Sequence, residues 1–156
     1  MMGVIVLRVE FSPGAVFKVP AGTDDFAYGV MLSHFPYMAF YDKRVVFDDN
    51  GKASEPPMFT IVVAKAAYAK GGWGEPVRHL AEDSLLPVPV FFWQSPVNKA
   101  DCKIVEPIKH RITASPADCV GLESEAVWAA RHIESRIVDA YAGRPNIFAE
   151  SLRVKL

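Results

Sequence analysis

The sequence predicts an α+β domain that is mostly β: a twisted antiparallel sheet or partial barrel with one long C-terminal helix, about 116–142, packed on it. Three observations carry this expectation. Through the first two-thirds of the chain, short runs place apolar residues at every second position, the period of half-buried strands. Pro and Gly separate those runs, Pro because its φ is fixed and Gly because it accepts positive φ. After Ser115 the apolar spacing changes to steps of three and four, the stripe of an amphipathic helix.

The elements follow in order. Leu7, Val9 and Phe11 alternate with Arg8 and Glu10 as a first strand, closed by the turn Ser12-Pro13-Gly14. Ala15 to Val19 makes a second strand, ended by Pro20. Phe26, Tyr28, Val30 and Leu32 alternate around Gly29, which marks a bulge or a close backbone approach. Tyr37 to Asp42 and Arg44 to Phe47 read as two further strands before the turn Asp48-Asp49-Asn50-Gly51. Phe59 to Val63 is a β-branched run that passes into Ala64–Lys70, one or two helical turns rich in Ala. Val90-Phe91-Phe92-Trp93 fits a buried strand, and Cys102 to Glu106 and His110 to Thr113 are weaker strands.

Ser115-Pro116-Ala117-Asp118 has the form of a helix start, with a Ser cap, Pro at the first position and an acid at the third. Leu122, Ala126, Ala129, Ile133, Ile137 and Ala140 then fall on one helical face. Gly143 is the expected C-cap and Pro145 prevents continuation. Leu152, Val154 and Leu156 alternate as a last strand that returns to the sheet.

The 156 residues fit a single globular domain, 1–156, without internal repeats or low-complexity tracts. Seventeen basic residues face eighteen acidic ones, a net charge of −1, so no excess of cations is present to neutralise phosphates and a general nucleic-acid binder is disfavoured. Ten Phe, 3 Trp and 5 Tyr exclude a disordered chain. The N-terminal apolar run, Val4 to Leu7, is shorter than a secretory signal needs, and no stretch has the length of a membrane span. Cys102 and Cys119 are too far apart for a CxxC motif and read as reduced packing thiols. The expectation is a cytoplasmic protein that engages neither nucleic acid nor membrane.

Residues that could carry chemistry are few. The four histidines show no metal-ligand spacing. Glu125, His132 and Asp139 share a helical face, but seven residues rise about 10.5 Å, too far for one ion. No GxSxG elbow is present, and Cys119 near His110 or His132 is only a spatial possibility. Gly71-Gly72-Trp73-Gly74 lacks phosphate-loop spacing and reads as a turn that seats Trp73 against the sheet. Tyr37, Phe40 and Tyr41 lie beside Lys43 and Arg44, but strand alternation turns most of these aromatics to the core. Glu125, Trp128, His132, Arg136 and Asp139 fall opposite the apolar helix face. A Trp on such a stripe is either covered by another layer or exposed as a contact anchor, and cover is the commoner outcome. No metal or cofactor is expected.

Two segments carry a resemblance. Pro13-Gly14-Ala15-Val16-Phe17-Lys18-Val19-Pro20, followed by Phe26-Ala27-Tyr28-Gly29-Val30-Met31-Leu32, resembles the opening of the immunity protein 26 family of bacterial polymorphic-toxin systems, with Ala15 where an acidic residue is usual. Gly121-Leu122-Glu123, Ala126-Val127-Trp128 and His132-Ile133-Glu134-Ser135-Arg136 resemble that family's C-terminal "GLE…AVW…E-x-R" helix, and Trp73 fits a mid-chain Trp. The resemblance implies a mostly β protein, without catalytic residues, that binds and neutralises a cognate toxin. Partner-contact residues do not transfer by motif. From the residues themselves, Asp24-Asp25 and Asp48-Asp49 in turns, with Glu82-Asp83 as a third patch, could stand in for substrate phosphates, and Glu125, Trp128 and His132 are the contact candidates of the helix. The alternative is a small hydrolase or transferase using His132 with Glu125 or Cys119, which requires these groups to meet in a cavity. A nucleic-acid-binding barrel would need a basic face.

Overall fold

The computed structural model describes residues 7–107 and 110–156. The strands, in chain order, are β1 (Ala15–Ala21), β2 (Asp25–Met31), β3 (Tyr37–Tyr41), β4 (Phe59–Val63), β5 (Arg78–His79), β6 (Phe91–Gln94), β7 (Cys102–Val105), β8 (Arg111–Ala114) and β9 (Val127–Trp128). The helices α1 (Ala130–Ala142) and α2 (Ile147–Ser151) follow. Six strands form one sheet in the order β5-β1-β2-β3-β4-β9, and β6-β7-β8 form a second. The ladders are antiparallel except β4–β9, where Val62 and Val63 pair in parallel with Val127 and Trp128. This is the mostly β, mixed α+β class that the periodicity predicts.

Alternation sorts the strand residues onto two faces. Phe17, Val19, Ala27, Met31, Met38, Phe40, Phe59, Ile61 and Val63 face α1, where Ile133 and Ile137 are fully buried against them. Burying each isoleucine stabilises the packed helix by about 1.5–3 kcal/mol relative to leaving it exposed. Val16, Val30, Leu32, Ala39 and Tyr41 form the opposite face, which is covered by loops carrying Val45 and Leu80 rather than by a helix. Gly29 marks a close approach and not a bulge: a Cβ there would lie 3.0 Å from the Phe40 ring and 3.2 Å from both Met38 and Val19.

The C-terminal third departs from the expected helix over 116–142. Ser115 and Asp118 do close a reciprocal capping box, the Ser115 hydroxyl accepting from the Asp118 N–H and the Asp118 carboxylate from that of Ser115. Yet they cap only a 3-10 turn, Pro116–Cys119, and the chain leaves it through Gly121 at φ +85°. Glu123 to Trp128 then runs extended, because sheet partners claim its backbone: the Phe92 N–H donates to the Glu123 carbonyl and the Glu125 N–H to the Phe92 carbonyl, both at 3.0 Å. The helix begins only at Ala130 and ends at the left-handed cap Gly143.

Other elements shift as well. The expected last strand at 152–156 does not form: the chain turns through the short helix α2 just before it, whose cap Asn146 accepts from the Ala149 N–H, and continues as a tail without strand pairing. That tail still returns to the second sheet, but through a side chain: Gln94 Oε1 accepts from the Lys155 N–H at 2.9 Å while its Nε2 donates to the Lys155 carbonyl at 2.7 Å. Leu7 to Phe11 forms no strand, Val9 donating instead to the Ala69 carbonyl. Arg44 to Phe47 contributes a single bridge, Phe47 to Ala53. Pro20 lies inside β1 and does not end it, and the Ala-rich segment makes one 3-10 turn, Lys65–Ala67. The two-residue strands β5 and β9 are too short for any periodicity to reveal. No helix of the described residues is long and apolar enough to cross a membrane.

Candidate functional site

The segment Glu123–Trp128 is the joint of the molecule. Its first half pairs with β6 and its second half with β4, so one extended stretch couples the two sheets. Among the described residues no further pairing closes them into a barrel. Arg136 of α1 holds this joint from behind. Its guanidinium donates two hydrogen bonds to Glu123, at 2.5 and 3.2 Å, and lies 4.1 Å from the Phe59 ring centre and 5.1 Å from that of Trp128. A planar fork sandwiched by rings suits arginine and not lysine. Trp128 is 3% exposed, so it is covered and is no contact anchor. Trp73 is likewise buried, its indole N–H donating to Glu134 on α1 at 3.1 Å.

Beyond Phe92, β6 and the joint diverge, and the gap between them is an open cleft of about 820 Å³. One wall is Trp93 to Val97, the other Ser124 to Val127, and Ser151 to Lys155 close the far end. Val97 and Val127 stand on the rim at 93% and 64% exposure. Lys99 and Lys155 give this rim a cationic character, joined by Arg153, which pairs with Glu150 at 3.0 Å, while the one acid of the lining, Glu125, is held by a two-pronged pair with Arg111 at 2.8 and 2.9 Å. Such a surface offers apolar anchors inside a charged border, the composition of protein-binding patches. None of Val97, Lys99, Arg153 or Lys155 belongs to a motif. Val127 lies in the Ala126-Val127-Trp128 run, where a helical reading hides its outward direction.

The residues proposed from sequence do not converge. Asp24 is exposed in the β1–β2 turn, whereas Asp25 pairs with Lys43 at 2.8 Å, and this bond first, with the Phe26 N–H second, holds its carboxyl below the ordinary range. Asp48 is spent inside its own turn, accepting from the N–H groups of Asn50 and Lys52, and Asp49 is exposed beside it. Among the described residues no hydrogen bond or ion pair joins these two acidic turns. Glu82 and Asp83 are exposed on a third, separate turn. His132 stacks on Phe148 of α2, ring centres 3.8 Å apart. The alternative catalytic set is therefore dispersed: Glu125 is engaged by Arg111, His132 by Phe148, and Cys119 is buried in an apolar cluster.

Glu125, His132 and Asp139 also part company. Asp139 pairs with Arg144 at 2.6 Å and accepts from Asn146 at 2.8 Å, tying α1 to the cap of α2. Arg144 chiefly, and Asn146 next, lower its carboxyl pKa. A carboxylate whose folded pKa lies below the unfolded one contributes stability that is present above the unfolded value and is lost as pH falls through the folded value. The Asp139→Asn variant should accordingly melt below the parent at neutral pH, and the difference should shrink progressively as pH falls below about 4, the ordinary aspartate value; thermal melts from pH 7 to pH 2.5 check this. A difference that stays constant over this range would deny Asp139 the role.

Comparison with models of protein families, with curated proteins and with solved structures gives no match.

Proposed function

We propose that this protein is a cytoplasmic immunity protein that binds a cognate polymorphic toxin one-to-one and neutralises it, and that the cleft between β6 and the joint receives the toxin. The observation that carries this reading is the splayed pair of strands: a concave face with exposed Val97 and Val127 inside a border of Lys99, Arg153 and Lys155. The resemblance to the immunity protein 26 family supports the same reading. Its family-like residues Glu123, Trp128 and Arg136 are engaged with one another in holding the joint. They shape the scaffold and leave recognition to the cleft rim.

Charge refines the expectation. A cationic rim is complementary to carboxylates on the partner, and such complementarity speeds encounter and disfavours wrong partners. The partner surface should then be acidic. This moves the binding face away from Asp24, Asp25, Asp48 and Asp49, which were the sequence's candidates for phosphate mimicry.

The test is capture with a tagged chain from its native cells, followed by expression of the captured polypeptide with and without this protein. The expected result is a stoichiometric partner that arrests growth alone and is tolerated on co-expression. A partner that is harmless alone, or whose toxicity co-expression leaves unchanged, contradicts the proposal.

A further inference from the structure

Cys102 and Cys119 are distant in sequence, but the fold brings them together. Cys102 opens β7 and lies across the ladder from Ala114. Ser115 then starts the capped turn Pro116–Cys119, which folds back onto β7. Both cysteines are fully buried, and both belong to one apolar cluster with Phe92, bordered by Ile104, Ala114, Leu122 and Val154. Burial first, and the neighbouring Cys102 thiol second, push the Cys119 thiol above its ordinary pKa. Both are free thiols.

We propose that Cys102 and Cys119 are a disulfide-forming pair, closed by thiol–disulfide exchange with a low-molecular-weight disulfide such as oxidised glutathione. One cysteine loses its proton and its thiolate attacks the reagent's S–S bond, forming a mixed disulfide and releasing one glutathione thiolate, which takes up a proton. The second cysteine, deprotonated in turn, attacks the protein sulfur of that mixed disulfide. The Cys102–Cys119 bond forms, the second glutathione leaves as its thiol, and two electrons have passed from protein to reagent. Because both thiols are buried, exchange in the native state waits on opening of the short turn 116–119, and is faster while the chain is folding.

The bond would tie that turn to β7 and enclose residues 103–118, including the edge strand β8. Cross-linking a loop of this size restricts the unfolded chain and raises stability.

The full chain is unfolded in urea and refolded in a glutathione redox buffer, so that access does not limit the reaction, and is then alkylated and mapped by mass spectrometry. The expected product has lost two hydrogen atoms, carries no glutathione, yields one peptide pair linking Cys102 to Cys119, and melts about 5–10 °C higher than the reduced protein. Dithiothreitol should return it to the reduced melting point. The Cys102→Ser and Cys119→Ser variants should show no such rise. Two alkylated thiols after refolding, stable glutathione adducts on either cysteine, a disulfide-linked dimer, or a linked monomer that melts no higher would each overturn the proposal.

Discussion

Replacing Gly14 by alanine is expected to destabilise the protein by about 2–6 kcal/mol, from left-handed strain of about 1–3 kcal/mol and overpacking of about 1–3 kcal/mol. Gly14 sits at φ +92°, and a Cβ there would lie 2.2 Å from the Leu80 carbonyl oxygen. That oxygen belongs to backbone and not to the end of a flexible side chain, so residues 78–80 would have to move as a unit. They are pinned: the Gly14 N–H donates to Met31, the Leu80 N–H donates to Gly14, and β5 pairs with β1 through His79 and Arg78. Gly74→Ala is the matched control, since Gly74 has φ +73° but a Cβ there would meet nothing within 4 Å, so it bears strain alone. Urea unfolding should place the Gly14→Ala midpoint well below that of Gly74→Ala. Equal midpoints would mean that the approach of Leu80 to Gly14 matters little.

Arg136→Ala should cost about 2–4 kcal/mol, because the change strips Glu123 of its counter-charge and removes a flat group lying between Phe59 and Trp128. The pair is largely shielded, with 16% of the arginine side chain and 32% of the glutamate exposed, so screening by water is weaker than at an open surface pair. Arg136→Lys keeps the charge without the fork and should fall between the parent and Arg136→Ala. A double-mutant cycle with Glu123→Ala isolates the link, and a coupling of about 1–3 kcal/mol is expected. Coupling near zero would remove the ion pair from the joint and leave only ring packing.

These two positions also show which parts of the fold a sequence can display. β1 to β4 are legible because turn residues bound most of them and their apolar and β-branched residues mark strands locally, although the sheet buries both of its faces where alternation predicts one. The Ser115–Asp118 box and the Gly143 cap are legible for the same reason: their chemistry is contained in a few consecutive residues. The joint is not. Leu122, Ala126 and Ala129 fall on helical steps, and nothing nearby records that Phe92, some thirty residues earlier, donates to the Glu123 carbonyl and accepts from the Glu125 N–H. A pairing partner distant in sequence outweighs a weak local preference. The tail errs likewise: Leu152 alternates with Val154 but packs with Phe148 against the core under α1, and Asn146 caps the short helix before it.

The candidate surface is less legible than the fold. Acidic turns are visible as composition, but whether a carboxylate is open or already satisfied depends on neighbours such as Lys43 for Asp25 and the turn's own N–H groups for Asp48. The cleft arises where two strands part, and its rim gathers Val97, Lys99, Val127 and Arg153 from three separated segments. Gly121-Leu122-Glu123 and Trp128 attract the eye because they are bulky or conformationally marked, yet their work is to position the joint.

The most direct measurement is the affinity of the captured partner for four forms of this protein: the parent, Val127→Glu, Arg153→Glu with Lys155→Glu, and Asp24→Lys with Asp49→Lys. The cleft variants replace exposed side chains, and their melting points should stay within a few degrees of the parent. The account predicts that each cleft variant weakens binding at least tenfold, that the charge reversal also slows association at low salt, and that the acidic-turn variant binds like the parent. Undiminished affinity in both cleft variants, with loss in Asp24→Lys and Asp49→Lys, would contradict it and place recognition on the acidic turns.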